Sequence, residues 1–388
     1  MSLNVLVVST SGTGHVHPLV PIGQELLARG HRVRWVTNSP GLERVRSYGF
    51  DAVAGGPTLA ERMPKFAAAT GDLSSVARDQ LRPLAFSTMF GTLAAPVMRA
   101  DLVPVVDEFC PDVIVHEFSE LASAPVARAR DIPHVSVAFS GEPYTAILRA
   151  TAPTMQAVWA AEGIDVPVDL GFFDHLYLHP WPASMGQRPD APTVLDSWHM
   201  GFDGRAPDSD APTWLQALGR DRPLVYVSFG TEVGPMAPWP ALLQAMSDVS
   251  ADVVVTTGQG IDLEAHGRIP PNVRVEAYVP QSFVLDRASV MVSHSGAGAV
   301  AATLERGIPQ VCIPLGADQW DNADAVAAAG VGAVLRRDAR TPDSIAGAVA
   351  SLLADGAVAS RCDAVRAEVE RMPQVNEAVD AIVDLATP

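Results

Sequence analysis

Two short runs in the second half of this 388-residue chain hold groups suited to a phosphorylated, hydroxyl-rich ligand. The first, His294-Ser295-Gly296-Ala297-Gly298-Ala299, follows a strand-like stretch and opens an apolar helix containing Val300, Ala301 and Leu304. Small side chains let backbone amides approach a ligand, and the unpaired N–H groups and dipole of a helix start attract a diphosphate. His294 adds a hydrogen bond to phosphate in this reading, whereas a turn made only for close packing is the other use of such a run. The second run is Asp318-Gln319-Trp320-Asp321-Asn322, just after Ile313-Pro314-Leu315. Asp318 can accept two hydroxyl protons while Gln319 donates and accepts, a pairing suited to a polyol; an N-cap with a solvated first turn is the alternative for Asp318 alone.

The elements that must carry these runs alternate regularly. Residues 4–9 read as a buried parallel strand, residues 10–14 as a turn, and residues 18–29 as a helix that Gly30 stops. Strands follow at 31–37, 112–116 and 134–139, then again at 224–229, 252–256, 273–277, 290–293 and 310–313, with helical stretches between. This rhythm predicts an α/β protein of two Rossmann-like, doubly wound parallel-sheet domains. Residues 201–223 are rich in Pro, Asp and Gly and suit an exposed connection, so the domains are expected at 1–205 and 206–388. A last amphipathic helix at 376–386 is free to pack back on the first domain. Residues 57–100 and 140–200 break the rhythm with scattered aromatics, among them Phe66, Phe90, Tyr144, Trp159, Phe172, Phe173 and Trp181. Binding loops or helices fit there, although each aromatic also fits a core.

The spacing from His294 through Gly307-Ile308-Pro309 to Asp318, Gln319 and Asn322 resembles the donor-binding signature of the GT-B glycosyltransferases that act on natural products and small lipophiles. Tyr226-Val227-Ser228-Phe229-Gly230-Thr231 resembles the family's turn near the donor phosphates, and Tyr278-Val279-Pro280-Gln281 the segment that stacks on the base. The resemblance covers nearly all of 222–330 and the first forty residues. It implies two domains facing each other across a cleft, the N-terminal one holding the acceptor and the C-terminal one the nucleotide sugar. The donor residues it implies are Ser228, Gly230, Thr231, Tyr278, Val279, Gln281, His294, Gly296, Ala297, Gly298, Ala299, Asp318, Gln319 and Asn322. Eight residues after the motif histidine, many uridine-diphosphate users of the family carry a ribose-binding Glu where this chain has Ala302. A deoxyribose asks for less there, which tilts the expectation toward thymidine-diphosphate (dTDP) sugars and antibiotic tailoring.

In the first half, Gly14-His15-Val16-His17-Pro18 resembles the family motif whose histidine is a general base. A neutral imidazole with a pKa near ~6.5 can take the proton of an attacking hydroxyl. Glu117 ends the strand Val113-Ile114-Val115-His116-Glu117 of the same sheet, and parallel strand ends gather at one edge, so Glu117 can orient His15. The family usually has Asp there, and the extra methylene tests the geometry. His116 and His17 compete with His15 and read better as structural. The implied reaction is direct displacement with inversion on an oxygen acceptor, nitrogen and carbon acceptors staying open. A nucleotide-sugar epimerase of the same fold and a non-catalytic activator of another transferase are the alternatives.

Composition bounds the rest. With 27 basic and 44 acidic side chains the formal net charge is -17 at pH 7, which repels nucleic acid, so phosphate has to be met locally. Cys110, Cys312 and Cys362 are too few and too scattered for a disulfide framework or a metal cluster. The short apolar run at 4–8 has no basic leader, and no long uninterrupted apolar stretch occurs, so a cytoplasmic protein without a membrane span is expected. Gly12-x-Gly14 lacks the third glycine and the acidic strand end of a nicotinamide site. Asp208-Ser209-Asp210 imitates a metal-binding carboxylate pair but falls in the connection, so neither metal nor cofactor is expected. The partners expected are a nucleotide sugar and a small acceptor; a homodimer is allowed.

Overall fold

The computed structural model describes residues 1–73, 76–140, 145–186, 188–205, 209–230 and 233–387, with the backbone alone at 78 and 79. The chain forms two compact units. One comprises Met1–Pro180, Gln187–His199 and Pro373–Pro388; the other comprises Trp181–Gly186 and Met200–Met372.

The first unit is built on a parallel sheet of β1 (Asn4–Val8), β2 (Arg32–Thr37), β3 (Asp51–Ala54), β4 (Val113–Glu117), β5 (His134–Val137), β6 (Leu176–His179) and β7 (Val194–Asp196). Its order is β3-β2-β1-β4-β5-β6-β7. β4 is buried along its whole length, as a strand covered by helices on both faces must be. The order reverses between β1 and β4, and ligands of open α/β sheets gather beyond the strand ends at such a reversal. Val8 pairs with His116 in register, so residues 9–15 and Glu117 leave the sheet side by side.

The second unit repeats the plan with β8 (Leu224–Ser228), β9 (Asp252–Thr256), β10 (Val273–Glu276), β11 (Val290–Ser293), β12 (Gln310–Cys312) and β13 (Gly332–Val334). Its order is β10-β9-β8-β11-β12-β13, with the reversal between β8 and β11, where Ser228 and Ser293 are paired. The unit begins at Met200 rather than at the expected 206. Asp203 explains the shift: its carboxylate accepts the Ser282 amide at 2.8 Å and its carbonyl the Tyr278 hydroxyl at 3.2 Å, fastening this stretch to the second unit.

Three departures from the sequence reading concern the site. Helix begins at Thr13–Val16, before a 3₁₀ turn His17–Leu19 and the helix Val20–Ala28, so His15 sits on a helical turn instead of in a loop. Residues 57–100 are largely helical: Leu59–Thr70, Arg78–Phe86, a π-helical turn Ser87–Thr92 that carries Phe90, and Ala95–Phe109. The run Gln80–Phe109 also has the length and hydropathy of a membrane span, which a test for uninterrupted apolar residues passes over because Arg82, Arg99 and Asp101 interrupt it. Its Met98, Leu102, Val106 and Phe109 pack with Leu6, Val8 and Ile114 in the core of the first unit. Trp159 and Phe172 join a second core cluster, while Tyr144 lies outside the described residues.

Candidate functional site

At the reversal of the first sheet, His15 Nδ1 lies 3.2 Å from Glu117 Oε2. Glu117 is fully buried, and backbone fixes it: Oε1 accepts the Thr10 amide at 3.2 Å and Oε2 the Ser119 amide. The longer Glu thus reaches the imidazole. The nearby carboxylate favours the tautomer with the proton on Nδ1, which puts the ring's lone pair on Nε2. Phe139 meets the ring edge-on at 5.1 Å and Phe90 lies at 6.2 Å, while about a quarter of the side chain stays exposed, 26%. Gly12 makes room, since a Cβ there would stand 2.8 Å from His15 Cδ2.

The competing histidines are engaged elsewhere. His17 contacts the Tyr48 hydroxyl at 3.0 Å. His116 is buried with Nε2 3.1 Å from His134 Nδ1, and burial, reinforced by the charge of His134, pushes it down to about 3. Sequence reasoning missed two charged neighbours of the dyad. Glu120 is buried, accepts the Ala122 and Ser123 amides, and burial pushes its carboxyl up to about 7. Arg62 is buried on the helix Leu59–Thr70 with its guanidinium 5.5 Å from the Phe90 ring. A lone Glu after a strand and a lone Arg in a polar helix carry no signal that separates them from solvated charges.

The second unit gathers most of the predicted donor residues at its own reversal. The helix Ala297–Leu304 starts from Gly296, whose side provides no cap, leaving the first-turn amides of Ala297 and Gly298 directed outward. Ser295 holds the approach in a left-handed conformation, φ 56°, and its hydroxyl donates to the Gln319 carbonyl at 2.9 Å. Asn322 Nδ2 donates to the Ser295 carbonyl at 3.0 Å and to Asp318 Oδ2 at 2.9 Å, tying the Asp318 loop to the Ser295 turn. Gln319 Oε1 accepts the Leu315 and Gly316 amides, which leaves its Nε2 to donate. Gln281 Nε2 reaches the Gly298 carbonyl at 3.5 Å, Tyr278 is largely exposed and Val279 buried. Ser228 Oγ accepts from Thr256, and Gly230 turns the chain with φ +67° beside His294. Burial pushes His294 down to about 4, so its ring is neutral rather than cationic near pH ~7. Thr231 and Asp208 lie outside the described residues. Among the described residues no group of three His, Cys, Asp or Glu side chains is placed to hold a metal.

These buried imidazoles make folding sensitive to acid. His116, His199 and His294 are held at about 3, about 4 and about 4. An unfolded His takes its proton near ~6.5, so between that pH and the folded values the unfolded chain binds more protons and stability falls as pH falls. Going from pH ~7 to ~5 is expected to cost about 2 kcal/mol per ring. Glu120 works in the opposite direction, because its folded value of about 7 lies above the ordinary carboxyl range and protonation favours the fold. Thermal unfolding at the two pH values should show a lower Tm in acid, with a larger drop in Glu120→Gln; a higher Tm in acid would contradict neutral burial of the rings.

Similarity to known proteins follows the same strand ends. Residues 240–385 match the family model "Erythromycin biosynthesis protein CIII-like, C-terminal domain". The chain is 27% identical to 4'-demethylrebeccamycin synthase of Lentzea aerocolonigenes over 99% of this chain and all of that protein. It is 29% identical to L-demethylnoviosyl transferase of Streptomyces niveus, covering 91% and 90% of the two chains. Glycosyltransferase SsfS6 of Streptomyces sp. SF2575, solved in complex with thymidine diphosphate, superposes with a TM-score of 0.81 at 25% identity over 98% of this chain and 99% of its own. The fold and a similarity that runs from end to end agree: the chain is a glycosyltransferase of GT-B fold, similar to those of the bacterial antibiotic-tailoring type.

Proposed function

We propose that this protein is an inverting, metal-independent transferase that moves a sugar from a dTDP-sugar to a hydroxyl of a small lipophilic natural product, with His15 as general base. The observation that carries the reading is the 3.2 Å contact of His15 with a carboxylate that backbone amides hold in place. In this mechanism Nε2 takes the acceptor proton as the oxygen attacks the anomeric carbon from the face opposite the nucleotide, and Glu117 steadies the imidazolium that forms. The leaving diphosphate is met by the amides of Ala297 and Gly298 and by His294, which asks for neither metal nor cofactor; the Ala299 amide is already given to the Gly296 carbonyl at 2.9 Å. Asp318 and the Gln319 amide orient the sugar.

Two observations support a thymidine nucleotide. Ala302 is buried in an apolar cluster with Val279, Phe283 and Tyr226, where a ribose-binding carboxylate would otherwise stand. SsfS6, similar over nearly its whole length, was solved with thymidine diphosphate. Calorimetric titration with thymidine and uridine diphosphates, without divalent metal, tests the donor side. The expected result is tighter thymidine diphosphate binding. Equal or inverted preference removes the Ala302 argument, and binding of neither nucleotide removes the donor site itself.

A further inference from the structure

Near the His15–Glu117 pair, the first unit keeps two polar groups buried with nothing to bond. Arg62 is 5% exposed, and its Nε and Nη1 are enclosed without a hydrogen-bond partner. Thr10 is 6% exposed, and its Oγ1 is likewise enclosed and without a partner. Both line one recess, with Asn38, Phe90, Ser119 and Glu120. Asn38 is already used, its Oδ1 accepting the Ser11 amide and its Nδ2 donating to the Gly55 carbonyl. Glu120 turns its oxygens to the amides of Ala122 and Ser123.

Burying a guanidinium without a bonded partner is costly, and folding alone gives no reason to keep it. Its position adds to the cost. The helix Leu59–Thr70 has Thr58 as N-cap, so Arg62 sits in the first turn, where the helix dipole disfavours a cation. Glu117 offsets the charge through space only, and the Phe90 face at 5.5 Å only in part. Phe90 is also the ring beside His15, at 6.2 Å, so the recess and the base share one wall. The recess is narrow, about 10 Å³, so it admits about one oxygen rather than a whole acceptor.

We propose that Arg62, with the Thr10 hydroxyl, is a specificity-determining site for an anionic oxygen, a carboxylate above all, carried by the acceptor at a distance from the hydroxyl presented to His15. A guanidinium fork and a hydroxyl are complementary to a carboxylate, and inside a recess such charge-assisted bonds discriminate strongly. The inference rests on the acceptor reading of this unit and adds the acceptor's chemical class to it.

The probes are a hydroxynaphthoate with hydroxyl and carboxylate on opposite rings, and its methyl ester. Binding of each is measured by calorimetry to the wild type, Arg62→Met and Arg62→Lys, with thymidine diphosphate titrated into the same preparations. The wild type should prefer the carboxylate by about tenfold or more. Arg62→Met should lose that preference, and Arg62→Lys should keep part of it. Because Arg62→Met removes an unbonded buried charge, its Tm should match or exceed that of the wild type. The proposal is overturned if the wild type binds both probes equally or binds neither, or if Arg62→Met keeps the preference; should that variant not fold, a full preference in Arg62→Gln overturns it as well. Nucleotide binding that persists beside such a result confines the failure to Arg62, whereas its absence would count against the transferase reading.

Discussion

Replacing His15 by Ala should lower turnover by about 10²-fold or more while leaving nucleotide affinity nearly unchanged, the usual size of the loss of a general base. The separation of the two readouts comes from where the residues lie. His15 and its partner belong to the first unit, and the amides assigned to the diphosphate begin the helix Ala297–Leu304 of the second. Glu117→Gln should fall between the wild type and His15→Ala. It keeps an oxygen for one backbone amide but meets His15 with a neutral group, so the imidazolium loses its counter-charge. Steady-state kinetics with a competent acceptor, beside nucleotide calorimetry, reads both effects. Equal turnover in His15→Ala would take the residue out of the mechanism, and a parallel loss of nucleotide binding would show that the substitution acts on the fold.

The second large effect is expected at Gly296. A Cβ at this position would stand 2.4 Å from His294 Nε2, 3.0 Å from Cε1 and 3.2 Å from Cδ2, so the whole imidazole would have to move. It has little room: Phe229 lies at 6.3 Å on one side, and Gly230 approaches within the distance at which a Cβ of its own would be 3.2 Å from His294 Cε1. Gly296→Ala therefore displaces either the neutral histidine donor or the helix start with its outward amides. Losing one or two hydrogen bonds to a charged phosphate corresponds to roughly 10- to 100-fold weaker nucleotide binding. The contrast is Gly298→Ala, where the added methyl meets no protein atom within 4 Å. That variant should keep the wild-type Tm, and a drop in affinity there can come only from the ligand's side of the turn. Unchanged nucleotide affinity in Gly296→Ala would mean that the turn exists for packing.

What the sequence disclosed depended on how much of each feature lies in consecutive residues. Strands such as Val113–Glu117 and Asp252–Thr256 each hold three consecutive apolar residues, and the burial of those residues followed from that run. Strands β3, β6, β7 and β13 escaped, and two of them, Asp51–Ala54 and Gly332–Val334, stay partly open to solvent and so lack the run of buried apolar residues that marks a central strand. The turn at His294 and the loop at Asp318 were legible as local patterns. Their union through Asn322, which bridges Ser295 and Asp318, was not, because a buried Asn in a helix reads like any polar residue until its partners are known. Arg62 is the extreme case. Flanked by Glu61 and Met63, it looks like one charge of a solvated helix face, and only the enclosure of Nε and Nη1 sets it apart.

One feature of connectivity bears on how the protein is made. The helix Val375–Ala386 buries Ala378, Val379 and Ile382 in the first unit, and Arg29 reaches across to Asp380 at 2.5 Å and to the Asn376 carbonyl at 2.9 Å. Trp198 adds a backbone bond to Pro373. The second unit is thus an insertion in the first, and the segment after it completes a unit whose strands precede it. During synthesis the helix Val20–Ala28 waits for this partner until the second unit has emerged with its described strands. The second unit can therefore fold before the first is complete, and loss of the helix Val375–Ala386 would damage the first unit rather than the one that precedes it in the chain.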